Sequence, residues 1–74
     1  MLPPATECPE KGELLEALRS AIAAIIDLNN RQWEAAMAGQ IVELQSMDAE
    51  LRREQIRKGD LIYAYMNHVQ EHGC

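Results

Sequence analysis

The chain contains no phenylalanine, and Trp33, Tyr63 and Tyr65 are its only aromatic residues. Its apolar content comes mainly from Ala, Leu, Ile and Met, which favour helices more than strands. No segment of the sequence alternates apolar and polar residues for long enough to indicate a sheet. These absences predict an all-α fold.

Signals for membranes, secretion and nucleic acids are also missing. No run reaches the roughly 18 uncharged apolar residues that a membrane span needs, and residues 1–7 lack the basic and apolar regions of a secretion signal. The net charge of -5 disfavours non-specific nucleic-acid binding. Two cysteines without a secretion signal indicate a reducing compartment. We therefore expect a cytoplasmic protein with no membrane or nucleic-acid partner.

Apolar residues recur at helical spacing on both sides of Gly39, over residues 14–37 and 41–69. Pro9 suits a first helical turn, and Gly39 suits the left-handed position that ends many helices. The pattern predicts helices over about residues 10–38 and 40–72.

The two helices are expected to fold back at Gly39 into an antiparallel helical hairpin. Residues 1–8 would form an extended N-terminal arm, and residues 9–74 a single helical-hairpin domain. The second helix is expected to run on as one helix, either straight or bent near Gly59, the alternative being a third helix capped by Asp60. Trp33 is expected to close the hairpin near its turn, the alternative being an exposed contact site for another protein.

Charged residues agree with this hairpin. With a turn at residues 39–40, facing residues have numbers that sum to about 79. That register places opposite charges near each other in three pairs, which are Arg31 with Asp48, Asp27 with Arg52, and Arg19 with Asp60. Because the register was free within a residue or two, coincidence is the alternative.

The middle of the first helix is apolar nearly all round, whereas residues 53–57 of the second helix, which face it, are mostly polar. A helix that is apolar on every side is normally buried on every side. We therefore expect a homodimer in which two hairpins form a four-helix bundle. The interface would contain Ala21, Ile22, Ala24, Ile25 and Ile26.

Rare residues collect at the predicted open end of the hairpin. His68 and His72 are four residues apart and share a helix face, and Cys8 and Cys74 would lie beside them. Two imidazoles and two thiolates form a ligand set that zinc accepts. A Cys8–Cys74 disulfide is a second interpretation. The third, which we favour, is inert thiols and solvated histidines.

Two segments carry a resemblance to known proteins. Residues 35–44, AAMAGQIVEL, are similar to the turn of small helical-hairpin proteins, flagellar export chaperones among them. Residues 64–74, AYMNHVQEHGC, resemble the ends of short uncharacterised bacterial helical-hairpin proteins. Those turns usually carry Asp after the glycine, and this chain has Gln40. The resemblance implies a bacterial, cytoplasmic helical protein and brings no catalytic residue.

The sequence thus favours a non-enzymatic, homo-oligomeric helical module without a cofactor. It would act through protein–protein contacts, with itself and with another protein, as an adaptor, small chaperone or regulator. The alternative is a small metal- or redox-responsive protein that uses zinc or thiols at Cys8, His68, His72 and Cys74.

Overall fold

The computed structural model describes residues 9–73, which form two helices and no strand. Helix α1 spans Pro9–Ala38 and helix α2 spans Ile41–His72. The predicted all-α fold is confirmed, and the predicted helix ends agree with the observed ones within one residue. Helix α2 is continuous through Gly59. The predicted arm over residues 1–8 lies outside the described residues.

Gly39 ends α1 in the left-handed conformation, with a φ of 71°. Its N–H donates to the carbonyl of Ala36 at 3.2 Å, and the N–H of Gln40 donates to the carbonyl of Ala35 at 2.9 Å. These two bonds form a Schellman motif, which satisfies the last carbonyls of α1. Two residues therefore suffice to reverse the chain.

Two glycine substitutions should have opposite effects on stability. Gly39→Ala forces a side chain into the left-handed region and should lower the free energy of unfolding by about 1–2 kcal/mol. Gly59→Ala should raise it by up to about 1 kcal/mol, because Gly59 lies inside α2 and a Cβ there meets nothing within 4 Å. Urea unfolding followed by circular dichroism measures both changes. A stabilising Gly39→Ala would contradict the described turn.

The helices pack along a seam, which is the line of residues on each helix that faces the other helix. Seam residues recur at alternating intervals of three and four residues, the spacing of a left-handed coiled coil. On α1 the seam residues are mostly small, and Ala21, Leu28 and Ala35 are buried. On α2 the seam residues are longer, and Met47 is buried while Leu44 and Leu51 pack against it. Small residues on one helix allow close approach of the large ones on the other. The core is narrow, since Ala21, Leu28, Ala35 and Met47 are the only buried residues of the described chain.

The basic residues of the three predicted cross-helix pairs form ion pairs within their own helices instead. Arg31 contacts Asp27 at 3.4 Å and Arg52 contacts Asp48 at 2.8 Å, while Arg19 contacts a carboxylate one turn earlier. Residues three or four apart on a helix are close neighbours and need no second helix. Asp27 immediately precedes the seam residue Leu28, and Arg52 immediately follows the seam residue Leu51. Their side chains therefore lie on opposite sides of the seam. None of the three predicted pairs forms an ion pair among the described residues, although the register is close to the predicted one.

Candidate functional site

One long side of the hairpin is acidic. Three grooves run between α1 and α2 on this side. Each is lined by acidic residues from both helices, which outnumber the basic lining residues Arg31 and Arg53. Six of the eight acidic lining residues come one position before a seam residue, as Asp27 does before Leu28. We call this surface the acidic side; its paired residues are Glu13 with Glu71, Asp27 with Glu50, and Glu34 with Glu43.

The opposite long side is apolar towards the open end of the hairpin, whereas the ion pair of Asp48 and Arg52 lies on it nearer the turn. A residue that follows a seam position lies about 200° from one that precedes it, because each residue turns the helix by about 100°. Ile22 follows the seam residue Ala21 and is 41% exposed, and Met66 follows Tyr65 on α2 in the same way. We call this surface the apolar face; it consists of Leu15, Leu18, Ile22, Ile25, Ile26, Ile62 and Met66, all exposed or half-buried.

The five residues predicted for a dimer interface divide between these surfaces. Ala21 is fully buried in the seam, with an exposure of 0%, and Ala24 lines a groove on the acidic side. Ile22, Ile25 and Ile26 belong to the apolar face. A single hairpin therefore buries Ala21, half-buries Ala24 and Ile25, and leaves Ile22 and Ile26 exposed.

Trp33 does not close the hairpin, because 66% of it is exposed. It comes five residues after the seam residue Leu28, which places it about 140° round the helix from the seam. Met37 and Val42 are also exposed near the turn. The preferred interpretation of Trp33 as a closing anchor was wrong, and the Schellman motif performs that role instead.

At the open end of the hairpin, the start of α1 meets the end of α2. Nδ1 of His68 lies 3.6 Å from Oε1 of Glu10, and the rings of His68 and His72 have centroids 4.5 Å apart. One potential ligand atom from each of the three residues lies within 4.8 Å of the other two. The three side chains thus form a compact cluster, which lines an open groove of about 430 Å³.

Sequence reasoning identified two members of this cluster and missed the third. His68 and His72 were predicted to converge on Cys8 and Cys74, but both cysteines lie outside the described residues. Glu10 was not among the predicted ligands. The signal that would have found it is the register itself, since 10 and 68 sum to 78, close to the predicted value of about 79.

Comparison of the chain with protein-family models, with curated proteins and with solved structures gave no match. Neither α1 nor α2 has the length and hydropathy together that would let it cross a membrane.

Proposed function

We propose that this protein is a non-enzymatic helical module that acts through protein–protein contacts, the first of which joins two copies of the chain through the apolar face. The observation that carries the proposal is the row of isoleucines along α1, of which Ile22 and Ile26 are exposed and Ile25 is half-buried. Burying such a side chain contributes roughly 1.5–3 kcal/mol. A two-fold axis through this row would pack the same residues of both copies against each other.

The distribution of charge supports a second copy as the occupant. Each chain carries a net charge of -5, so two copies repel unless their acidic groups stay apart. The paired carboxylates lie on the acidic side, opposite the apolar face. Association through the apolar face directs both acidic sides outward to water, where the repulsion is screened by salt.

The surface area supports the same arrangement. The structure exposes 5395 Å², whereas a compact monomer of this mass, 8.4 kDa, is expected to expose about 4600 Å². A second hairpin packed on this one would cover part of that excess. Two hairpins packed face to face would form a four-helix bundle with a core wider than the narrow seam of one hairpin.

Molar mass tests the proposal directly. Sedimentation equilibrium at micromolar concentration, with a chelator present, should give about twice the chain mass of 8.4 kDa. Moderate salt should leave the mass unchanged or strengthen the association, because apolar contacts provide the attraction and charge provides the repulsion. A folded species at the mass of one chain across the concentration range would refute the dimer.

A further inference from the structure

We propose that Glu10, His68 and His72 bind one zinc ion, which clamps the start of α1 to the end of α2. This inference goes beyond the dimer and does not depend on it. It also places the carboxylate of Glu10 beside the two histidines, where the sequence alone suggested Cys8 and Cys74 as the other ligands. The three ligands come from both ends of the described chain, so one ion would close the open end of the hairpin opposite its two-residue turn.

The distances fit a zinc ion after small side-chain movements. Zinc bonds to imidazole nitrogen and carboxylate oxygen are about 2.0–2.2 Å long, so neighbouring ligands of a tetrahedral ion are about 3.3–3.5 Å apart. The separation of 3.6 Å between Glu10 and His68 is already near that value. Only 10% of the His68 side chain is exposed, whereas Glu10 and His72 are exposed and can rotate towards it.

The surroundings favour a cation. Glu13 and Glu71 line the same groove as the three ligands and add negative charge beside them. His68 and His72 also lie in the last two turns of α2, where the helix dipole favours positive charge. Nitrogen and oxygen ligands together suit zinc better than magnesium or calcium, which prefer oxygen alone.

Zinc titration of the chelator-treated full chain, in competition with a chromophoric chelator, tests the site. The chain should bind one zinc ion, and zinc should raise its melting temperature. Glu10→Gln should weaken binding by at least about tenfold, and His68→Ala by at least about a hundredfold, since each removes a direct ligand. Glu43→Gln is the matched control, because Glu43 is the acidic residue in the first turn of α2 at the other end of the hairpin. It should bind zinc as the unmodified chain does.

The two cysteines are tested separately. A Cys8→Ser/Cys74→Ser variant should retain zinc binding, and the cobalt complex of the unmodified chain should lack a strong thiolate-to-cobalt charge-transfer band. A strong band together with unchanged affinity in Glu10→Gln would assign the ion to thiolates and overturn the proposal. Absence of stoichiometric zinc binding would overturn it as well. Because the molar mass is measured with chelator present, either result leaves the dimer untouched.

Discussion

Ile22→Glu should dissociate the dimer, raising its dissociation constant by more than about a hundredfold. Ile22 is near the middle of the apolar face and is 41% exposed in one hairpin. A two-fold interface would bury both copies of the new carboxylate without a partner, and an unpaired buried charge is strongly unfavourable. Sedimentation velocity over a range of concentrations measures the change.

Ala23→Glu is the control for this prediction. Ala23 is the next residue along α1, is exposed, and lies about 100° further from the seam, in line with Glu16 and Asn30. It adds the same charge to the same helix outside the apolar face, so its dissociation constant should stay within about threefold of the original. If Ile22→Glu remained as dimeric as Ala23→Glu, the apolar face would not be the interface.

Met47→Ala should lower the free energy of unfolding by about 2–4 kcal/mol. Met47 is only 8% exposed and belongs to the small cluster that contains Leu28 and Ala35. A chain of this length is expected to have a total stability of only about 4–11 kcal/mol, so the loss is a large part of the whole. Urea unfolding at one fixed protein concentration measures it, since dimerisation makes stability depend on concentration.

Met37→Ala gives the matched control for the core. It makes the same chemical change on α1 near the turn, where Met37 is 71% exposed. Its effect should stay within about 0.5 kcal/mol, as for most surface substitutions. Equal losses in the two variants would contradict the described seam.

The helices could be predicted because local signals determine them. Pro9 and Gly39 stand at the helix ends, and the apolar spacing continues between them and through Gly59. Such signals depend only on residues close together in the sequence, so they can be read without knowledge of the tertiary structure. Gly59 was the uncertain point, and helix α2 continues through it because one glycine costs only about 1 kcal/mol.

The position of each side chain around its helix was harder to predict. The sum of two residue numbers shows whether the residues lie at the same level along the hairpin. It does not show on which side of the seam each side chain lies. Arg52 and Asp27 lie at the same level along the hairpin but on opposite sides of the seam. Ala21 and Ile22 are adjacent in the sequence, yet Ala21 is buried and Ile22 is exposed. The seam pattern resolves this, because residues before and after a seam position lie on different sides.

The candidate cluster was half-predicted for a related reason. His68 and His72 stood out because histidine is rare in this chain, whereas Glu10 is one of twelve acidic residues. The register brings Glu10 to the level of His68, and the packing of α1 against α2 places its carboxylate 3.6 Å from the imidazole.

In the proposed dimer, the apolar face of one hairpin packs against the same face of a second copy. Isotope-filtered NMR on a mixture of labelled and unlabelled chains tests it most directly, because it detects only contacts between different chains. Intermolecular nuclear Overhauser effects are expected at the methyl groups of Ile22 and Ile26. Intermolecular effects confined to residues of the acidic side, or to the turn around Val42, with none at Ile22 and Ile26, would contradict it.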